Sequence, residues 1–166
     1  MTLRTFFARR IVLYSERVLN DGALVVDARG QVVEVIEGFS SIRRRAVGEV
    51  IDLGEGVLAP GWVNAHAHLE LTRLSGRVQP GTAFPDWIKS LLKERAGLEV
   101  SDYDAGVTAG ADQLLRGGTT TVGDVDSTGA SVRALKRHPI RALVFREALD
   151  VGDAARCHAV LTELET

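Results

Sequence analysis

Two histidines, His66 and His68, stand one alanine apart in the stretch VLAPGWVNAHAHLE, Val57 to Glu70. Neutral imidazole is the commonest side-chain ligand for a divalent transition metal. Side chains two residues apart on a β-strand project from the same face. With the apolar run WVNAH read as a buried strand, both imidazoles stand side by side at its end and can share one metal ion. An H-x-H pair can also be two satisfied polar residues at a strand end, and the tripeptide alone does not separate the two readings. Its setting favours the metal. The pair follows Pro60-Gly61 and an apolar run, comes after a β-rich module, and opens a series of alternating strands and helices.

Those elements must place the pair. Residues 4 to 58 read as β-structure. RIVLY (Arg10 to Tyr14) is a short β-rich run, and GALVVDARGQVVEVIEG (Gly22 to Gly38) is a hairpin turning at Asp27 to Gly30. Ser40 to Glu49, with Arg43-Arg44-Arg45, reads as an exposed charged loop, and Val50 to Gly61 as two short strands around a glycine turn. Short strands with glycine turns predict a small sandwich or barrel module over residues 1–58. From residue 59 the pattern alternates. Helices are predicted over Asp86–Leu98, Ser101–Gly118, Ala130–His138 and Asp153–Leu164, the second opened by a capping-box-like Ser101 and Asp104. Strands are predicted at WVNAH, TTTVGD (Thr119–Asp124) and IRALVFRE (Ile140–Glu147). The alternation predicts an α/β fold with a parallel sheet and right-handed crossovers. In such sheets sites form at the C-terminal strand ends, where the histidines stand.

Composition bounds the function classes. The chain is 45% hydrophobic and 25% charged, an ordinary globular balance. A net charge of -2 gives no reason to expect nucleic acid or a membrane surface as partner. The single cysteine, Cys157, excludes an intrachain disulfide. MTLRTFFARR lacks an apolar core of signal-peptide length, and no run approaches the roughly 20 apolar residues of a membrane span. The expectation is a cytoplasmic protein acting on a small molecule, with homo-oligomerisation open.

IDLGEGVLAPGWVNAHAHLEL resembles the signature of the amidohydrolase superfamily, and HAHLELTRLSG followed by FPDWIKSLLKER is similar to its chlorohydrolase and nucleoside-deaminase branch. The likeness runs on through GGTTTVGD and RALVFREALD. It implies a small β-sandwich before a metal-dependent (β/α)8 barrel, with His66 and His68 at the end of barrel strand 1 binding zinc, or alternatively iron. It implies hydrolytic deamination of an aminated purine, in which the metal lowers the pKa of water toward 7. Further ligands, and the proton-shuttling Glu and His, would come from later strands.

Five residues are candidate substrate contacts: Glu70, Trp87, Glu94, Arg146 and Glu147. Glu70 follows His68 by two and could face the same side, or be an exposed carboxylate at a loop start. In related nucleoside deaminases an acidic residue shortly after the Trp binds ribose hydroxyls; the spacing to Glu94 is shorter here, and Trp87 could simply pack its helix. Asp124, Arg146 and Glu147 end strands at the functional face. Arg146 could meet a substrate carboxylate in a bidentate pair, or form an ion pair with Glu147 or Asp124.

The chain departs from the family in length. A complete barrel takes about 250 residues, rarely fewer than about 200, and only three barrel strands are visible after residue 58. His138, before Pro139, and His158, inside a predicted helix, do not replace the later ligands. The expectation is therefore the N-terminal part of a longer, truncated or partial enzyme of about 45 kDa. The chain alone is expected to be inactive, since a catalytic zinc has at least three protein ligands. A lone three-stranded piece would expose an edge and an apolar face, and should be unstable or associate. Another amidohydrolase branch, or a non-catalytic remnant or assembly module, stays open.

Overall fold

The computed structural model describes residues 2–14, 17–78 and 83–147, and the chain divides into two compact units, Met1–Pro60 and Gly61–Thr166. The expected helix over Asp153–Leu164, with Cys157 and His158, lies outside the described residues. None of the described helices is long and apolar enough to cross a membrane.

The first unit is a five-stranded sheet. β1 (Arg4–Tyr14) pairs antiparallel with β2 (Arg17–Val26), and β2 pairs antiparallel with β3 (Val32–Glu37). Between β2 and β3 the Asp27 carboxylate accepts the backbone N–H groups of Arg29 and Gln31 at 2.8 and 2.9 Å, closing the expected turn. β4 (Glu49–Asp52) and β5 (Val57–Leu58) run parallel to β1. The loop expected around Arg43-Arg44-Arg45 is instead a helix, α1 (Phe39–Arg45). Its Ile42 is buried with Ala23, Val25 and Ile36, an apolar anchor that holds the helix to the sheet. The three arginines occupy its last turn, where the helix dipole favours cations.

The second unit is mixed α/β. Its parallel sheet has the order β6 (Trp62–Ala67), β7 (Thr119–Asp126), β8 (Arg141–Arg146). A 3-10 turn (Leu69–Leu74), α2 (Phe84–Arg95) and α3 (Val100–Arg116) connect β6 to β7, and α4 (Ala130–Leu135) connects β7 to β8. Several helix ends differ from expectation. α2 stops at Arg95, short of Leu98, and α4 stops before His138. α3 opens at Glu99 and Asp102, whose carboxylate accepts the Glu99 N–H at 3.1 Å. Asp104 is thereby free of capping and pairs with Arg133 at 2.7 Å.

Helices cover one face of this sheet, with Leu69, Val107, Ala111, Val122, Leu135 and Ile140 in the core. α3 crosses the 3-10 turn closely at Gly110, where a Cβ would lie 2.5 Å from Thr72 Oγ1 and 3.0 Å from Leu69 Cδ2. On the other face Val63, Leu143 and Phe145 are 48 to 69% exposed.

Candidate metal centre

β6 carries the histidine pair, and it is not a regular strand. Pairing with β7 runs from Asn64↔Val122 to Ala67↔Asp124, so Ala65 and His66 together oppose the single Gly123. This is a bulge, which bends a strand and re-aims its side chains. The Asn64 side-chain oxygen accepts the His66 backbone N–H at 3.1 Å. A Cβ at Gly123 would lie 2.7 Å from the Ala65 carbonyl oxygen, so only glycine lets β7 close on the bulge. The strand ends at Ala67, and His68 leads into the 3-10 turn.

The outcome brings the His66 and His68 rings to 5.1 Å between centroids, edge to face at 76°. His66 is exposed and His68 half-buried. Among the described residues, no hydrogen bond occupies a ring nitrogen of either. Two imidazoles bound to one zinc at about 2.1 Å with tetrahedral angles have ring centres about 5 Å apart, so the pair fits a shared metal. No cluster of three or more His, Cys, Asp or Glu able to hold a metal exists among the described residues. Among the described residues the centre therefore has the two histidines as ligands.

Next to the pair lies a buried acidic network. Asp124 is 0% exposed; its Oδ1 accepts the Leu69 backbone N–H at 2.8 Å, and its Oδ2 accepts the Ser131 hydroxyl. Burial pushes its carboxyl above the ordinary value, with Asp126 adding to the rise, against the hydrogen bonds from Ser131 and Leu69 and the charge of His68. Asp126 accepts the N–H groups of Thr128, Gly129 and Ser131 at 2.9, 3.0 and 3.2 Å, holding the loop that leads into α4. Burial pushes the Asp126 carboxyl up as well, but hydrogen bonding with Glu70, Thr128 and Ser131 outweighs it and holds the group below 3.8.

Glu70 requires a correction. The sequence places it on the side of His68 as a substrate contact, yet it is fully buried. It accepts Ser127 Oγ at 2.6 Å, Thr128 Oγ1 at 2.7 Å and the Ser127 N–H at 3.3 Å, and the Arg95 guanidinium lies 3.4 Å away. The strand ends at Ala67, so the two-residue alternation no longer governs position 70 and the 3-10 turn aims Glu70 inward.

The other candidates are dispersed. Trp87 is half-buried on α2 and stacks on Phe84 of the same helix at 5.8 Å; Glu94 is half-buried on α2 as well. Neither makes a hydrogen bond, ion pair or ring contact with the histidines among the described residues. Arg146 stands opposite Asp126 in the β7–β8 register, and the Glu147 N–H donates to the Asp126 carbonyl at 2.9 Å. His138, beyond α4, meets Asp112 at 3.2 Å and takes no part in the centre.

Sequence reasoning missed Asn64, Arg95, Ser127, Thr128 and Ser131. The run Asp126-Ser127-Thr128-Gly129 before an apolar helix carries a helix-start signal that could have revealed the loop. Arg95 has no local signal.

The sequence model of the amidohydrolase family matches residues 57–152. The chain belongs to the amidohydrolase family. A 5-methylthioadenosine/S-adenosylhomocysteine deaminase of Nitratidesulfovibrio vulgaris (strain Hildenborough) is 30% identical over 128 residues, covering 76% of this chain and 28% of that protein. An aminodeoxyfutalosine deaminase of a Nitratiruptor species is 23% identical over 138 residues, 83% of this chain and 33% of that protein. This amidohydrolase chain thus spans about a third or less of the length of these two curated relatives. A solved adenosine deaminase from Xanthomonas campestris with bound zinc superposes with a TM-score of 0.70 at 26% identity, over 97% of this chain and 38% of its own.

Proposed function

We propose that this chain is the N-terminal portion of a metal-dependent hydrolase that deaminates an aminated purine nucleoside such as aminodeoxyfutalosine, a substrate tied to menaquinone biosynthesis. In this reading residues 1–58 form part of a β-sandwich module and residues 59–166 supply the first three β/α units of a (β/α)8 barrel. The single observation that carries the proposal is the His66–His68 pair, adjacent at a strand end with ring spacing suited to one ion. The deaminase names among the relatives support the reaction class. The small share of each relative that is matched supports a longer enzyme.

His66 and His68 would hold zinc, or iron, and the ion would supply the Lewis acidity that makes water nucleophilic at neutral pH. The bulge at Ala65-His66 and the turn after His68 set the angle between the rings. Trp87, Glu94, Arg146 and Glu147 remain the proposed substrate contacts; Glu70 acts in the scaffold.

The test uses the full-length protein. Metal content is read by elemental analysis, and ammonia release over a panel of aminodeoxyfutalosine, 5'-deoxyadenosine derivatives and halogenated triazines. The expected result is bound metal and ammonia from a purine nucleoside, both lost in His66→Ala and His68→Ala. Wild-type turnover and metal content in the double variant would sink the proposal. Dechlorination of a triazine without nucleoside deamination would move the enzyme to another branch.

A further inference from the structure

We propose that Asp124 is the positioning residue for the metal pair, acting through the backbone and not as a ligand; this rests on the metal-dependent reading above. Both carboxylate oxygens of Asp124 are already used, Oδ1 by the Leu69 N–H at 2.8 Å and Oδ2 by the Ser131 hydroxyl. With both oxygens turned to these donors and the side chain 0% exposed, the carboxylate is fully engaged within the protein.

The bond it makes is placed where it can set a ligand. The Leu69 N–H belongs to the peptide that joins His68 to Leu69. The other end of that peptide, the His68 carbonyl, accepts the Leu71 N–H at 3.0 Å. The peptide plane is therefore pinned at both ends, by β7 through Asp124 and by the 3-10 turn itself. Pinning the plane fixes ψ of His68, and with it the direction in which the imidazole leaves the backbone. His68 lies past the last strand residue, where no sheet ladder holds it. The Asp124 bond replaces the missing ladder.

Ser131 on α4 keeps the clamp in register. Its hydroxyl holds Oδ2, while its own N–H is held by Asp126 at 3.2 Å. A chain of contacts then runs from α4 through Asp124 to the His68 peptide. A buried carboxylate is costly in a core unless its hydrogen bonds are made; here one of the two donors it satisfies is the N–H of the peptide that follows His68. A ligand-orienting role explains the choice, since partners behind a metal ligand typically govern 10- to 100-fold in affinity.

The experiment compares Asp124→Ala, Asp124→Asn, Ser131→Ala and, as control, Ile140→Ala, all in the full-length protein. Ile140 is buried in the same core but precedes the start of β8, away from the centre. The readouts are zinc affinity by chelator competition, the visible absorption of the cobalt-substituted protein, and the thermal midpoint. Asp124→Asn keeps an oxygen acceptor for the Leu69 N–H and should bind zinc within about threefold of wild type. Asp124→Ala should lose roughly 10- to 100-fold and change the cobalt spectrum. Ser131→Ala should lose several-fold. Ile140→Ala should lower the midpoint and leave affinity unchanged.

If Asp124→Ala folds, wild-type affinity in it overturns the inference; if it does not fold, wild-type affinity in Ser131→Ala does so. An equal affinity loss in Ile140→Ala overturns it too, because the effect would then be general loosening. A wild-type protein that neither binds metal nor releases ammonia takes down the proposed function and this inference together. Metal binding and deamination by wild type, with unaffected variants, takes down this inference alone.

Discussion

Glu70 is fully buried, with two hydroxyls, one backbone N–H and the Arg95 guanidinium around its carboxylate. Removing it in Glu70→Ala strands the Ser127 and Thr128 hydroxyls and the Arg95 charge. Arg95 keeps 19% side-chain exposure and can reach water, so the cost sits toward the lower end for a broken buried pair, about 2–3 kcal/mol. Urea unfolding should show that loss; a change below about 0.5 kcal/mol would mean the network is not formed in solution. The two neighbouring aspartates carry opposite pH dependences. Asp126 is held below 3.8, so it contributes stability above that value, lost as pH falls through its folded pKa. Asp124 is raised by burial, so its ionisation lowers stability as pH rises above 3.8 toward and through its folded pKa. The penalty for Asp126→Asn should therefore be larger at about pH 7 than at about pH 3, and that for Asp124→Asn should run the other way. Denaturant titrations at the two pH values check both signs.

Elements rather than single side chains set the spacing of the histidines. β6 reaches β7 through a bulge that Gly123 alone accommodates, because the Cβ of any other residue meets the Ala65 carbonyl at 2.7 Å. The obstacle is backbone and has no rotamer to escape into. Gly123→Ala should cost about 1–3 kcal/mol and weaken zinc binding, because the bulge that carries His66 must move. Calorimetry and a zinc titration of one sample read both; unchanged affinity would show that the bulge does not set the ring angle. Gly110 weighs two effects. Alanine in a helix interior gains about 1 kcal/mol over glycine, but here its Cβ would sit 2.5 Å from Thr72 Oγ1, which donates to the Leu69 carbonyl at 2.8 Å. Overpacking of about 1–3 kcal/mol plus a lost hydrogen bond of about 1 kcal/mol outweighs the gain. Gly110→Ala should lower the thermal midpoint, and a rise would show that the 3-10 turn yields freely.

The described residues of the second unit bury one sheet face under helices and leave Val63, Leu143 and Phe145 of the other exposed. Exposed contiguous apolar surface drives association. The 166-residue chain made alone should elute above its 17.9 kDa mass, and Leu143→Thr with Phe145→Thr should shift it back; a wild-type monomer in solution would contradict this. The amino-acid sequence alone determined the described strands and helices after residue 59 with their parallel alternation, the β2–β3 turn, the family and the histidine pair. These rest on short-range signals: apolar periodicity, turn residues, and spacing within one strand. It misplaced Glu70 and took Arg43 to Arg45 for a loop, in both cases where partners elsewhere outweighed the local pattern, and it started α3 too late because the capping pair is Glu99 and Asp102, not Ser101 and Asp104. Asp124 and Leu69 meet across 55 residues, and Glu70 and Ser127 across 57. Only the tertiary structure could decide which carboxylates face the centre and which hold it, because burial and hydrogen-bond partners that distant are properties of the packed chain and leave no mark on neighbouring residues.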